Sequence, residues 1–279
     1  MSGSRKITAH LQQLKELHAI ISSMRTLAQL ELRKLANRGE KQRDMMDILG
    51  TAFTDFLRFY PLAGQTVGPE LLLVLGSERG FCGPFNEMLR QELTNALESG
   101  TKPCCIMVVG GKLNRHFSSG NDAYIRVAGV STAEELSARL FEIVVEIQKQ
   151  FDLYQVQSLR VICHDDVSDM VMVRQLLPPA EIRESRKHAY PPLLYMGQDE
   201  FLHDFLQHYL FLGLIQLLTA SLLVENRYRV QHLGGTLHRL EERLVAIENR
   251  ARAIRQEEIT AEIETILLGS GMFDLDNMA

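Results

Sequence analysis

Apolar residues recur at alternating steps of three and four in both end segments of the chain. In the last third the repeating positions are Leu237, Leu240, Leu244, Ile247, Ala251 and Ile254. Near the start they are Ile7, Leu14, Leu17, Ile21, Met24, Ala28 and Leu35, with His10 and Glu31 as polar interruptions. A mean repeat of 3.5 residues is typical of the seam of a left-handed coiled coil. The pattern therefore predicts that the two ends of the chain pair with each other.

Both end segments are predicted to be unusually long helices. The first should run over residues 4–60, and the second over residues 201–272 with a break at Gly234-Gly235. At a rise of 1.5 Å per residue, the first helix would be about 80 Å long. Part of it must then project from any globular domain of this size.

The middle of the chain has a different pattern, in which short apolar runs alternate with amphipathic stretches. The predicted strands cover residues 71–75, 104–109, 124–127, 159–163 and 171–177. The predicted helices cover residues 85–98, 112–117 and 132–151, the last capped by Ser131 or Thr132. Alternation of strand and helix predicts a parallel-type sheet with helices on both faces.

The fold class is therefore α/β with long helices: an antiparallel two-helix coiled coil of the chain ends, with an inserted Rossmann-like α/β domain. The predicted division is an N-terminal coiled-coil helix at 1–60, the α/β domain at 61–195, and a C-terminal coiled-coil helix at 196–279. With 46% hydrophobic residues in 279, the composition suffices for a packed core.

Charge and hydropathy exclude some classes of protein. The formal net charge of −5 argues against a nucleic-acid binder, which would carry a basic stripe. Residues 205–224 lack formal charges and have the length of a membrane span. This run contains several polar side chains and is not flanked by a basic cluster, so we interpret it as a helix buried against protein. The first twenty residues do not have the pattern of a signal peptide.

Three groups of residues are candidate sites of chemistry. The loop from Gly76 to Gly83 is placed where a doubly wound fold binds phosphate, but its spacing matches neither common nucleotide motif. The run Cys163-His164-Asp165-Asp166 contains nucleophile, base and acid types, yet neighbours on a strand point to opposite faces. The four cysteines form no C-x-x-C pair and are interpreted as buried free thiols. No catalytic, cofactor or metal site is predicted.

Five motifs, in order along the chain, resemble those of the gamma subunit of F-type ATP synthases, the central stalk of a rotary enzyme. K-I-T-A-H-L-Q-Q-L-K at 6–15 begins a stretch, 6–28, that is similar to the family's first helix. G-S-E-R-G-F-C-G-P-F-N at 76–86 resembles S-[TD]-D-[RK]-G-L-C-G-x-[FL]-N, and V-R-Q-L-L-P at 173–178 resembles V-E-Q-L-L-P. E-N-R-Y-R-V at 225–230 and R-Q-E-E-I-T-A-E-I-E-T-I at 255–266 resemble the two motifs of the last helix.

The resemblance implies a non-catalytic rotor that couples ion-driven rotation to the catalytic sites of a surrounding ring. It implies three kinds of partner: the alpha- and beta-type ring subunits, an epsilon-type subunit, and the membrane c ring. It also implies a peripheral position on the cytoplasmic face of the inner membrane, with no cofactor. The partner-binding residues it implies are Met24, Arg25, Gly80, Cys82, Gly83, Asn86, Glu225, Arg229, Arg255, Gln256, Thr260 and Glu262.

Several positions depart from the family's pattern. Val224 precedes Glu225 where the family has serine, Val230 replaces a methionine, and Phe81 and Pro84 flank Cys82. These changes suggest a divergent branch, and they leave the coupling ion and the physiological direction open. Two other functions also stay open: a small-molecule enzyme on the α/β domain, and a passive coiled-coil tether that would form a homodimeric rod.

Overall fold

A computed structural model of the chain describes residues 2–60, 68–99, 103–117, 124–179 and 190–275. The helices are α1 (Ser2–Phe59), α2 (Phe85–Ser99), α3 (Gly111–Asn114), α4 (Leu136–Tyr154) and α5 (Gln198–Leu275). The strands are β1 (Glu70–Leu75), β2 (Cys105–Val109), β3 (Tyr124–Val127), β4 (Ser158–His164) and β5 (Val171–Leu177). One turn of 3-10 helix, Arg115–Phe117, follows α3.

The chain forms two compact units. The first combines Met1–Thr26 with Leu233–Ala279, and the second consists of Leu27–His232. The division at residues 60 and 195 that the sequence suggested stays a prediction.

In the first unit the two chain ends pair as antiparallel helices. Lys15 Nζ lies 2.9 Å from Glu248 Oε1, and His18 Nε2 lies 3.1 Å from Glu241 Oε1. Because the later residue of α1 meets the earlier residue of α5, the two helices run in opposite directions. The predicted pairing of the ends is confirmed, and the predicted seam of α5 from Leu237 to Ile254 is covered.

A coiled-coil seam consists of two sets of positions, each repeating every seven residues, and one of these sets in α1 differs from the prediction. Ile7, Leu14 and Ile21 are covered as expected, but Leu11 and His18 complete the seam in place of His10 and Leu17. Leu14 is 8% exposed and Leu17 is 49% exposed. The predicted set (positions 10, 17, 24 and 31) and the observed set (positions 11, 18, 25 and 32) each contain two apolar and two polar residues. The number of apolar residues therefore could not distinguish them.

The predicted break at Gly234-Gly235 is wrong, because α5 is continuous from Gln198 to Leu275. Each glycine in a helix interior costs about 1 kcal/mol relative to alanine, which is a small loss for a helix stabilised by packing over many turns. Gly234 faces the guanidinium of Arg25, which would lie 3.7 Å from a Cβ placed there.

The second unit contains a five-stranded sheet in the order β3-β2-β1-β4-β5. Strands β1 to β4 are parallel, as predicted, whereas β5 runs antiparallel to β4. The reversal follows from a short connection, in which Asp165 N donates to Met170 O at 2.8 Å. A parallel crossover needs a dozen or more residues, so these two strands can only form a hairpin.

Alternate residues of β1 face two separate cores. Leu71, Leu73 and Leu75 pack with α4 and with the parts of α1 and α5 that belong to this unit. Leu72 and Val74 pack with α2. Helices therefore cover both faces of the sheet, which explains why the central strands consist of apolar residues without alternation.

Helix α4 begins at Leu136, later than predicted, and neither Ser131 nor Thr132 is its cap. The backbone N–H of Ser131 donates to the Glu135 carboxylate at 3.2 Å. The N–H of Ala133 donates to Glu31 on α1 at 2.8 Å. A tertiary contact from another helix thus satisfies a donor that local capping was expected to satisfy, and sequence spacing could not reveal it.

Within the described residues, one helix segment, Gln198–Leu268, contains a stretch long and apolar enough to cross a membrane. Of that stretch, 56% is buried inside the protein, because it covers the sheet. Burial against protein accounts for its composition, in line with the interpretation of residues 205–224 above. Three cysteines are buried free thiols as predicted, but Cys104 is exposed.

The two candidate seams of α1 can be separated by substitution. We expect Leu14→Ala to lower the stability of the helix pair by about 2 kcal/mol, because it removes a buried side chain and leaves a cavity. Leu17→Ala is the matched control and should change stability by less than about 0.5 kcal/mol. Chemical denaturation followed by circular dichroism measures both. Equal losses at the two positions would contradict the seam through Leu11 and His18.

Candidate functional site

The loop between β1 and α2 is closed by a network of buried polar side chains. Asn86 Oδ1 accepts from the backbone N–H of Ser77 at 3.1 Å, and Asn86 Nδ2 donates to Ser77 Oγ at 2.7 Å. The Cys82 thiol lies 3.5 Å from the same hydroxyl. These contacts join the first residues of the loop to the first turn of α2, and so fix the shape of the loop between them.

Helix α5 binds this loop through Arg229. The Arg229 Nε donates to the carbonyl oxygen of Gly80 at 3.2 Å, and its Nη1 donates to Asn226 Oδ1 at 2.8 Å. Its Nη2 donates to the Glu225 carboxylate one helical turn away. Glu225 and Arg229 are 3% and 6% exposed, so the ion pair is withdrawn from solvent and all three guanidinium nitrogens are used.

Burial dominates the electrostatics of this cluster. It raises the pKa of Glu225 to about 7, and the adjacent Arg229 guanidinium opposes that shift. Burial also raises the pKa of the Cys82 thiol. Cys82 is therefore protonated at neutral pH, where it acts as a weak donor in a packed loop rather than as a nucleophile.

The backbone donors at the strand ends, where a nucleotide-binding fold would hold phosphate, are already used. The N–H groups of Gly111 and Gly129 both donate to Glu78 Oε2, each at 2.7 Å. Gly110 lies between these contacts with a φ of 114°, close to the backbone of Gly76, where a side chain would not fit. A carboxylate of the chain itself therefore occupies the position that a phosphate would take.

The run Cys163 to Asp166 does not converge on one point. Cys163 lies in the core on the α4 side of the sheet, whereas the His164 ring stacks on Phe85 with centroids 4.1 Å apart. Burial lowers the pKa of His164. Asp165 accepts from Ser168 Oγ at 2.8 Å and Asp166 pairs with Arg43. Among the described residues, no group of three or more potential ligands could hold a metal ion.

The structure brings half of the twelve predicted partner-binding residues together. Gly80, Cys82, Asn86, Glu225 and Arg229 form the cluster just described, and Gly83 lies in the same loop with a φ of 56°. Sequence reasoning missed Ser77 and Asn226, which are equally part of it. Both stand inside the motifs quoted above, so their positions there were the available signal.

The other six predicted residues lie on the paired helices of the first unit. Met24 and Arg25 are half-buried, and Arg25 Nε is buried without a hydrogen-bond partner. The remaining four, Arg255, Gln256, Thr260 and Glu262, are exposed on α5. Gly234 lies opposite Arg25, so about 30 Å of helix separates that contact from Arg255. These six residues lie on the same pair of helices but do not form one site.

The family model for ATP synthase matches residues 3–271, which is nearly the whole chain. A gamma chain of the ATP synthase of Clostridium kluyveri is 20% identical over 97% of this chain and 99% of its own length. The chain belongs to the ATP synthase gamma-subunit family. As a gamma subunit, it is a component of a complex of several different chains.

Solved structures of the same type share its fold. A chain of the Tetrahymena thermophila mitochondrial ATP synthase, in a structure of the central stalk and c ring, matches with a TM-score of 0.61 and 17% identity. The match covers 78% of this chain and 99% of that one. A chain of the Euglena gracilis mitochondrial ATP synthase rotor matches with a TM-score of 0.63 and 14% identity over 92% and 99%. The predicted fold class, long terminal helices around an α/β sheet, is confirmed.

The buried glutamate of the cluster gives a testable pH dependence. Its folded pKa of about 7 exceeds its ordinary value, so the folded state holds a proton that the unfolded state has released. Stability from this group is therefore complete at low pH and is lost as pH rises from about 4.5 to about 7. We expect Glu225→Gln to remove this loss, worth on the order of 1–3 kcal/mol.

The measurement is the thermal midpoint of the wild-type chain and of Glu225→Gln at a series of pH values from 5 to 8. Glu98→Gln, which changes an exposed glutamate on α2, controls for the loss of one negative charge. If Glu225→Gln and Glu98→Gln show the same dependence on pH as the wild type, burial does not govern this carboxyl.

Proposed function

We propose that this gamma-family chain is the central rotor of a rotary ATP synthase or ATPase and is itself non-catalytic. The observation that carries the proposal is the antiparallel pairing of its own two ends, in the order set by the Lys15–Glu248 and His18–Glu241 contacts. A two-helix rod lacks threefold symmetry, whereas a ring of three catalytic sites has it. Each site then meets a different side of the rod, which favours a different conformation and affinity at that site.

The exposed residues near the C-terminal end of α5 indicate that another protein binds there. Past Glu258, every described side chain of α5 up to Leu268 is exposed. Among them Ile259, Ile263, Ile266 and Leu267 are 49% to 68% exposed and share one face of the helix. An apolar stripe of this kind on an exposed helix marks a surface that another protein covers. We assign that cover to the alpha- and beta-type ring subunits.

The predicted contact residues fall into two groups, one in each unit. Arg255, Gln256, Thr260 and Glu262 are exposed beside the apolar stripe and are proposed to meet the ring, with Met24 and Arg25 near the moving part of the catalytic subunit. The cluster of Gly80, Cys82, Gly83, Asn86, Glu225 and Arg229 is proposed to shape the loop that contacts the epsilon-type subunit and the c ring.

Phe81 in that loop is 55% exposed, which suits a contact surface. The similarity to a chain from the Tetrahymena thermophila central stalk and c ring, and to a chain from the Euglena gracilis rotor, supports this proposal. The complex would then hold the chain at the cytoplasmic face of the cell membrane as a peripheral subunit.

The rotor proposal is tested in the assembled complex with the double variant Ile263→Asp, Leu267→Asp. Charges on the exposed stripe leave the isolated chain folded but oppose an apolar contact with the ring, so we expect at least about a tenfold loss of ion-coupled ATP synthesis. Val145→Asp, on the exposed face of α4, is the matched control and should keep synthesis near the wild-type rate. Synthesis is measured in vesicles that contain the reconstituted complex.

Deletion of residues 262–279 is a second test of the same surface. Full ion-coupled synthesis with that deletion, or with the double variant, would contradict the assignment of this end of α5 to the ring. A loss in Val145→Asp equal to that in the double variant would show that added charge alone is responsible.

A further inference from the structure

A cavity of about 250 Å³ opens beside the loop of the second unit, between Gly80–Gly83, α3 and the end of this unit's part of α5. Three basic side chains line it: Lys112, His116 and His232. The Lys112 chain passes over Gly80, with its Cε 3.7 Å from the position of a Cβ there. His232 Nδ1 lies 3.9 Å from the corresponding point on Gly83. Basic groups from two parts of the chain, α3 with the turn after it and α5, thus lie around one cavity.

The one acidic side chain at this cavity is already neutralised. Glu87 accepts from Arg90 Nη2 at 2.5 Å and from Arg90 Nε at 3.0 Å. The Arg90 contact lowers the pKa of Glu87, so this carboxylate stays ionised and paired. Across the described part of the chain, Lys112 has no ion pair or side-chain hydrogen bond with another group, whereas His116 interacts electrostatically with Glu87. The described residues at this cavity therefore do not balance the charge of Lys112.

The backbone of the loop adds donors to the same space. Phe81 and Gly83 have φ values of 63° and 56°, and Gly80 and Cys82 do not share the positive φ. Alternation of this kind turns successive N–H groups toward one side and forms a concave anion site. Among the described residues, no backbone carbonyl accepts a hydrogen bond from the N–H groups of residues 80, 81 and 83, whereas the Cys82 N–H is directed to its own thiol sulfur.

We propose that this cavity binds a phosphate group, held by Lys112, His232 and His116 and by the backbone of the loop. A phosphate oxyanion matches the unbalanced positive charge and accepts several hydrogen bonds at once. The group could belong to free inorganic phosphate or to a phospholipid headgroup, and exposed Phe81 at the rim suits the second source. The site lies on the loop that is proposed above to contact the epsilon-type subunit and the c ring, but it includes none of the α5 residues assigned to the alpha- and beta-type ring.

The first arm of the test titrates the purified full-length chain with inorganic phosphate in a calorimeter. We expect saturable binding that Lys112→Gln and His232→Gln each weaken by about tenfold, because each removes a side chain that donates a hydrogen bond to the phosphate. Lys149→Gln, the same change at an exposed position on α4, should bind like the wild type. Unchanged circular dichroism shows that the variants are folded.

The second arm measures co-sedimentation with phosphatidylglycerol vesicles and with phosphatidylcholine vesicles. Binding to the anionic vesicles that depends on Lys112 and His232, with weak binding of free phosphate, identifies a lipid headgroup as the source. Binding of free phosphate without preference for anionic vesicles identifies the free ion. Absence of binding in both arms, or binding that both variants leave unchanged, would overturn the site without affecting the rotor proposal.

Discussion

The structure depends on the need to cover the apolar stripes of two very long helices. Helices of 58 and 78 residues cannot bury one face within a small globular core. Each stripe is covered in the first unit by the other end of the same chain, which makes the pairing intramolecular. Because an intramolecular pair forms at a high effective concentration, it is favoured over association between separate chains. This distinguishes the chain from a tether that would dimerise through its helices.

The buried cluster of the second unit serves a different physical purpose from the helix seam. Taking Glu225 and Arg229 out of water costs more than a packed apolar pair would, unless every hydrogen bond is made. Here the guanidinium reaches Gly80 and Asn226 as well as Glu225, which offsets part of the cost, and the raised pKa of Glu225 reflects the part that remains. The buried pair contributes specificity, because its hydrogen bonds select one loop conformation, in which Phe81 has a left-handed conformation at the surface. Strain of that kind persists only where neighbouring contacts fix it.

Most of the secondary structure could be predicted because its signal is local. Continuous apolar runs gave the strands, and helical periodicity gave α2 and the long helices. The errors occur where a tertiary contact decides the outcome. Glu31 satisfies the donor ahead of α4, packing carries α5 through Gly234-Gly235, and the short turn after His164 reverses β5.

Sequence motifs likewise could not reveal the tertiary contacts of the candidate site. The motifs identified residues on the loop and on α5, and the structure brings them together. Spacing alone could not show that Glu78 uses the donors of Gly111 and Gly129. Nor could it show that Arg25 turns into the seam instead of facing outward, since that depends on the space left by Gly234. Sequence motifs indicated candidate residues, and contacts between distant segments determine the environment of each one.

Polar residues in the seam of the helix pair bear directly on its use as a rotor. A seam of apolar residues alone can slip by one heptad with little loss, because every position then resembles the next. His18 meets Glu241, and Arg25 lies against the gap at Gly234, so a shifted alignment would separate both contacts. Such residues reduce packing energy but select one register. For a rod that must present a fixed asymmetric profile to three sites in turn, a single register matters more than maximum stability.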